Sequence, residues 1–118
     1  TNEPISLTDI ARRFEPDNSS YLIQSWLRGR NTIEFLGEWE RNNDKKFNEE
    51  VFQKLLKNVR APFYTLAPKR IIETVNAIGL EFKRGKNYDT MAHPFIACDF
   101  EMWNNMQFRY EVLKYFMS

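Results

Sequence analysis

The sequence predicts an α+β fold that is mainly helical and contains one small β-hairpin. Apolar residues recur at helical spacing through most of the 118 residues. Residues 80–82 and 88–92 alternate in polarity around a KRGKN turn, which is typical of a hairpin. The sequence contains no internal repeat, low-complexity tract or linker. We therefore expect a single domain over residues 1–118, either by itself or as part of a longer protein.

Four amphipathic helices are predicted in the first half of the chain. Ser6 can cap the first helix, and Gly29 permits a sharp change of direction after the second. Thr32 is predicted to cap the third helix, and Asn48 the fourth. The positions expected to face inward are Leu7, Ile10, Ala11 and Phe14, then Leu22, Ile23, Trp26 and Leu27, then Ile33, Phe35, Leu36 and Trp39, and finally Val51, Phe52, Leu55, Leu56 and Val59.

The second half predicts a fifth helix, the hairpin and two further helices. Pro68 suits the first turn of the fifth helix, and Gly79 its C-terminal cap. After the hairpin, His93 or the residue before it caps a helix with Pro94 in its first turn, and residues 104–105 separate this helix from the last one. The apolar positions of the three helices are Ile71, Ile72, Val75 and Ile78, then Phe95, Ile96, Phe100 and Trp103, then Phe108, Val112, Leu113 and Phe116.

Composition and single residues argue against several classes of protein. No apolar run approaches the roughly 20 residues that span a bilayer, so we expect no membrane partner. One Cys, Cys98, and one His cannot form a Cys/His zinc site, and no Gly-rich phosphate loop is present. Cys98 is interpreted as a small buried hydrophobe, and Glu38, Glu40 and residues 49–50 as solvated helix faces. We therefore expect no catalysis, no metal and no cofactor.

The charges leave two interpretations open. The net charge of +1 argues against a strongly basic nucleic-acid-binding protein. The basic residues nevertheless occur in local groups, at residues 12–13, 28–30, 45–46, 69–70 and 83–86, whereas most acids lie elsewhere. Either the surface is polarised, with cationic patches that meet a partner, or the charges form an evenly mixed solvated surface.

A resemblance to the KilA-N domain rests on four segments in the family's order. They are ISLTDIARRF, WLRGRNTIEFLGEWE, LAPKRIIETVNAIGLEF and MAHPFIACDFEMW, the last followed by FRYEVLKYF. The family is a DNA-binding module of phages, bacteria and large DNA viruses, related to the fungal APSES domain. The resemblance implies a winged helix-turn-helix-like fold with no enzymatic activity. It also implies a place in the cytoplasm of a bacterial or phage-infected cell, in association with the nucleoid.

The resemblance implies two segments that contact double-stranded DNA. The RGRNT segment begins the recognition-like helix, and the hairpin, or wing, reaches into a groove. Two departures concern the wing and the N-terminus. Only Gly85 remains in a wing that is often Gly-rich, and only TNEPI precedes the first helix, which reduces the sheet to the hairpin and one small strand. The positions carried over are Arg28, Arg30, Asn31 and Thr32 in the first segment and Lys83, Arg84, Gly85, Lys86 and Asn87 in the wing.

Each candidate also has an ordinary structural explanation. Arg28 and Arg30 could complement a helix dipole, or contact phosphate and guanine through bidentate donors. Asn31 could read adenine or act as a cap. Lys69 and Arg70 open a helix, where cations oppose the dipole, so they hint at an anionic partner. The wing cations could be a solvated turn, and His93 is expected to bond backbone at the base of the wing.

Two functions from different classes follow. The first is sequence-preferring binding of double-stranded DNA as a phage, prophage or bacterial regulator. The second is an antirepressor-like module that keeps the fold and binds another protein or a fused C-terminal domain. Near-neutral charge favours the second, and the cationic wing favours the first.

Overall fold

In the computed structural model, residues 3–59, 77–83 and 89–118 are described, and they form six helices and one antiparallel sheet. The strands are β1 (Ile5–Ser6), β2 (Leu80–Lys83) and β3 (Asp89–Ala92). The helices are α1 (Leu7–Phe14), α2 (Ser19–Leu27), α3 (Arg30–Asn43), α4 (Glu49–Val59), α5 (Pro94–Asn104) and α6 (Met106–Met117). This architecture confirms the α+β class. The predicted fifth helix, from Pro68 to Gly79, lies outside the described residues except for residues 77–79. The wing tip, residues 84–88, lies outside them entirely.

Local capping explains where several helices begin. The Ser6 hydroxyl accepts a hydrogen bond from the Asp9 N–H at 3.0 Å, and the Asn48 carboxamide oxygen accepts one from Val51 at 3.1 Å. Asn105 caps α6 in the same way, because its side chain accepts a hydrogen bond from the Phe108 N–H. Each cap satisfies an N–H that the first helical turn leaves without a partner. The predicted caps at Ser6 and Asn48 are confirmed.

The predicted cap at Thr32 is wrong. Helix α3 begins three residues earlier than a cap at Thr32 predicts, at Arg30, with Gly29 at the N-cap position. The Ile33 N–H donates to the Gly29 carbonyl at 3.1 Å, so residues 30–32 already form the first helical turn. Gly29 has φ −73° and ψ 131°, which is extended backbone open to any residue. Thr32 consequently sits inside the first turn, next to Asn31, instead of preceding the helix.

The core is built by α1 to α5 together with β2 and β3. Trp26 and Phe100 are almost completely buried, and their rings meet edge-on at a centroid distance of 5.1 Å. The Trp26 indole N–H donates to the Asp99 carboxylate at 3.0 Å, which satisfies the polar atom of this buried ring. Gly37 in α3 makes room for α4, because a Cβ at this position would overlap the Phe52 ring.

The sheet has the strand order β1-β3-β2, with β3 in the centre. Within β3, Thr90 and Ala92 are buried, as the alternating pattern predicts. The Thr8 hydroxyl in α1 accepts from the Thr90 N–H at 3.0 Å, and the Ser6 hydroxyl donates to Asp89 at 2.5 Å. The sheet is therefore the hairpin plus one two-residue strand, as expected from the short N-terminal segment.

Some positions predicted to face inward are exposed. Phe14 is 37% exposed at the end of α1, and Ile78 is 59% exposed just before β2. In α6, two of the four apolar positions of the predicted last helix, Leu113 and Phe116, are exposed as well. A helical apolar pattern indicates that a face could be buried, but burial also requires a neighbouring element on that side.

None of the helices in the described ranges combines the length and apolar character needed to cross a membrane.

Candidate nucleic-acid interface

A two-residue connection joins α2 to α3 and presents charged and amide side chains. Arg28 is exposed at the C-cap position of α2, where its N–H donates to the Gln24 carbonyl at 3.0 Å. Arg30 and Asn31 are the first two residues of α3, and Asn31 is exposed while Arg30 is half-buried. The structure therefore brings Arg28, Arg30, Asn31 and Thr32 together at one short turn between two helices.

Arg30 is tied to its own helix. Its Nη2 atom lies 3.0 Å from the Glu34 carboxylate, one helical turn further on. Its Nη1 atom is shielded from solvent and has no hydrogen-bond partner within the described ranges. An Arg that precedes Glu at this spacing is the weaker order for a helical ion pair, and surface pairs contribute little. An anionic ligand can therefore compete with Glu34 for this guanidinium.

We expect Glu34→Gln to strengthen DNA binding about 1.5- to 2.5-fold at low salt, which corresponds to the few tenths of a kcal/mol that such a helical pair contributes. The substitution releases Arg30 and removes a negative charge beside the predicted phosphate contact. Fluorescence anisotropy with a labelled duplex measures the change. Glu50→Gln is the control, because Glu50 forms an i,i+4 pair of the opposite order with Lys54 on α4, and its removal likewise deletes one surface negative charge. Equal effects of both substitutions would contradict a specific role of Arg30.

The wing is described only at its base. Lys83 is exposed at the end of β2, opposite Asp89 of β3. Four predicted wing contacts and the two predicted helix-start contacts lie outside the described residues. They are Arg84, Gly85, Lys86 and Asn87 in the wing, and Lys69 and Arg70 before it.

Glu40 attaches α3 to the chain that enters the wing. It is 4% exposed, and its two carboxylate oxygens accept hydrogen bonds from the N–H groups of Ile78 at 3.1 Å and Gly79 at 2.7 Å. Burial raises the pKa of Glu40, and the two backbone hydrogen bonds oppose that rise in part. The interpretation of Glu40 as part of a solvated face is therefore wrong, because its side chain is buried. Its hydrogen-bond partners lie 38 and 39 residues away in the sequence.

A sequence signal for the burial of Glu40 was present. Ile33, Leu36, Gly37 and Glu40 follow the spacing i, i+3, i+4, i+7, which places all four on one face of α3. All four are buried. A carboxylate that continues an apolar stripe indicates a buried acceptor for backbone donors, whereas Glu38 lies outside this stripe and is exposed.

His93 fixes the other end of the hairpin. Its N–H donates to the Gly79 carbonyl at 2.8 Å, and its Nδ1 atom accepts from the Phe95 N–H at 3.1 Å, which caps α5. Its ring lies against Trp39 of α3 at a centroid distance of 5.0 Å. The expected role of His93, bonding backbone at the base of the wing, agrees with these contacts.

We expect His93→Ala to lower the free energy of unfolding by about 0.5–2 kcal/mol, because α5 loses its side-chain cap. The effect on DNA affinity should be indirect, through the position of the wing. Urea unfolding measures the first quantity and anisotropy the second. His93→Asn is the control, because Asn restores a capping oxygen and should recover most of the stability. Abolished binding at unchanged stability would mean that His93 touches DNA.

Helix α3 thus contains one candidate DNA-contacting segment and anchors the other. Arg30 and Asn31 lie in its first turn, and Glu40 and Trp39 hold the hairpin from its second half. At a rise of 1.5 Å per residue, Arg30 and Glu40 are roughly 15 Å apart along the helix axis. A single helix therefore sets the spacing between the α2–α3 turn and the base of the wing.

The described residues give little support for metal binding or for a reactive cysteine. The described residues contain no group of three or more His, Cys, Asp or Glu side chains that could hold a metal ion. Cys98 is half-buried, and burial, together with the charges of Asp99 and Glu101, raises the pKa of its thiol. A raised pKa disfavours the thiolate, which is the reactive form.

The fold and the turn define a small α+β domain in which one helix carries a candidate contact segment and anchors the hairpin that forms the other. A family model described as KilA-N domain matches residues 1–118, so the chain belongs to the KilA-N family. KilA-N domains are in general DNA-binding domains. Searches of curated proteins and of solved structures found no match.

Proposed function

We propose that this domain binds double-stranded DNA with sequence preference, in a winged helix-turn-helix-like mode. The observation that carries the proposal is the α2–α3 turn, where exposed Arg28 and Asn31 and the half-buried Arg30 precede a helix that also anchors the hairpin. In this mode the first turn of α3 meets the duplex, and the wing, beginning at Lys83, contacts an adjacent stretch of backbone or groove.

The start of α3 suits a phosphate. The first intrahelical hydrogen bond is made by Ile33, so the N–H groups of Arg30, Asn31 and Thr32 precede it, and Gly29 has no side chain to cap them. Such N–H groups and the positive end of the helix dipole attract anions. Arg28 adds a cation at this position, and exposed Asn31 supplies the donor and acceptor that can recognise adenine.

The same proposal extends to the biological role. A small domain that prefers a DNA sequence and belongs to this family fits the regulator of a phage, prophage or bacterium, acting in the cytoplasm at the nucleoid. Its DNA contacts would be electrostatic in part despite the net charge of +1, because the charges relevant to phosphate lie in local groups.

A salt titration tests DNA binding. The affinity for a random duplex should fall with a slope of log K on log salt of about −4 to −5, as expected for roughly five neutralised phosphates. Between 50 and 200 mM salt this slope corresponds to a loss of roughly 250- to 1,000-fold. Anisotropy with duplexes of random sequence and with duplexes enriched by selection separates general from sequence-preferring binding. An affinity that does not change with salt, or no binding at all, would favour the antirepressor-like module.

A further inference from the structure

An apolar stripe on α6 has no role in the fold described above. Met106, Tyr110, Leu113 and Met117 are 59%, 65%, 51% and 80% exposed. Their spacings of four, three and four residues match the a and d positions of a heptad repeat. At 100° per residue, the four side chains lie within a sector of about 60° on the helix.

The stripe lies on the side of α6 that faces away from α5. Helix α6 packs against α5, and its two half-buried apolar residues, Phe108 and Val112, lie on the side of the helix opposite the stripe. At its N-terminal end the stripe meets a groove of about 250 Å³, lined in part by Met106, Trp103 and Phe35. The groove gives an apolar side chain of a partner a place to enter. Contiguous exposed apolar surface of this kind marks sites of protein interaction.

Two cations flank the stripe. Arg109 and Lys114 lie about 70° to either side of its centre, whereas the acid on this helix, Glu111, lies about 130° away. Arg109 and Lys114 form no ion pair with any part of the chain that the structure describes. A partner helix that covers the stripe would therefore meet a positive charge along each edge.

A second copy of α6 would not supply acidic residues opposite these two cations. The residues that flank the stripe are Gln107, Arg109, Lys114 and Phe116, and none of them is acidic. In a parallel pair Arg109 of one helix would face Lys114 of the other, because g and e positions of successive heptads are neighbours. In an antiparallel pair no acid would face either cation. Self-association through this stripe therefore gains no opposite-charge contact.

We propose that the α6 stripe binds an amphipathic helix of another protein, with apolar a and d positions and acidic flanking positions. The partner's apolar side chains cover Tyr110 and Leu113, and its carboxylates pair with Arg109 and Lys114. Helix-in-groove recognition of this kind reads apolar anchors spaced by three and four residues. The α6 stripe presents such anchors at i, i+4, i+7 and i+11. The central residues of the stripe lie on α6, outside the α2–α3 turn and the wing, although the groove at its N-terminal end is also lined by Asn31 and Thr32.

The test uses two designed helical peptides, each about three heptads long, with Leu and Ile at a and d. One peptide has Glu at e and g, and its twin has Lys at the same positions. Isothermal titration calorimetry of the whole chain should give 1:1 binding of the Glu peptide at micromolar affinity and at least tenfold weaker binding of the Lys peptide. The double variant Arg109→Glu and Lys114→Glu should reverse this preference.

Variants of the stripe complete the test. Leu113→Glu should weaken the Glu peptide at least tenfold, without unfolding the chain, because the side chain is half exposed. Tyr21→Glu is the control, because Tyr21 is 50% exposed on α2 and lies outside the stripe. The proposal is overturned if neither peptide binds or if both bind equally. It is also overturned if sedimentation without peptide detects a dimer that Leu113→Glu dissociates, which would assign the stripe to a second copy.

Discussion

Glu40→Ala is expected to lower the free energy of unfolding by about 3–5 kcal/mol. The substitution leaves the buried Gly79 N–H without its acceptor, at about 1–3 kcal/mol, and the part-buried Ile78 N–H at a smaller cost, and it opens a cavity beside the core. Urea unfolding measures the loss. Glu38→Ala is the control, because exposed Glu38 contacts Arg41 at the surface, and such a pair contributes about 1 kcal/mol or less. Similar losses for the two variants would contradict the structural role of Glu40.

The same residue predicts a pH dependence. Burial raises the pKa of Glu40 in the folded protein, so the native state binds this proton more tightly than the unfolded chain does. Stability contributed by Glu40 is therefore present below its ordinary pKa of about 4.5 and declines as the pH rises through the raised value.

Glu40→Gln isolates this pH dependence, since Gln does not titrate. The stability advantage of the unsubstituted protein over Glu40→Gln should shrink as the pH rises from 4 to 7. Glu49 also titrates in the acid range, because the Arg41 guanidinium lowers its pKa to about 2, but it is present in both proteins and cancels in the difference. Urea unfolding at several pH values measures the difference. An advantage that grows with pH would contradict a raised pKa.

The second large effect concerns how the proposed DNA contacts divide their roles. Arg30→Ala and Asn31→Ala are each expected to cost about 1–3 kcal/mol of binding to a preferred duplex and to relax the preference at particular base pairs. The reason is that both residues occupy the first turn of α3, where the backbone is fixed and a side chain can be aimed.

Lys83→Ala should act differently. A Lys ammonium is a point charge suited to phosphate, so this variant should weaken all duplexes alike and reduce the salt slope by about 1. Selection from random duplexes and salt titration of each variant separate the two outcomes. Lys54→Ala is the control, because this exposed cation lies on α4 next to Glu50. A selected motif that changes with Lys83→Ala and not with Arg30→Ala or Asn31→Ala would assign base reading to the wing.

The features that could be predicted from the sequence are those that depend on interactions between residues close together in the chain. The caps at Ser6, Asn48 and His93 could be predicted because each donor lies two or three residues from its acceptor. The start of α3 was misplaced at Thr32 because the helix begins directly after Gly29 without a side-chain cap. Local capping chemistry alone therefore locates a helix boundary only where the cap is used.

Longer-range features were harder to predict. The burial of Glu40 depends on backbone donors at Ile78 and Gly79, which no local pattern identifies as partners. The exposure of Leu113 and Phe116 was missed for the converse reason, because the pattern identifies an apolar face but not the element that covers it. The contacts that the candidate site makes within α3 could be inferred from the spacing of residues along the helix. The link between α3 and the wing could not.

The attachment of the hairpin has a consequence for protein engineering. Both ends are held through main-chain atoms, because the Gly79 N–H bonds to Glu40 and the Gly79 carbonyl accepts from the His93 N–H. Gly79 itself cannot be replaced freely, since a Cβ would lie 2.5 Å from Ile96 and 2.8 Å from Glu40. The side chains between these anchors make no contribution to the two bonds. A library of tip sequences can therefore replace the wing without disturbing these two bonds, which offers a way to vary how strongly the wing contributes to the proposed DNA binding.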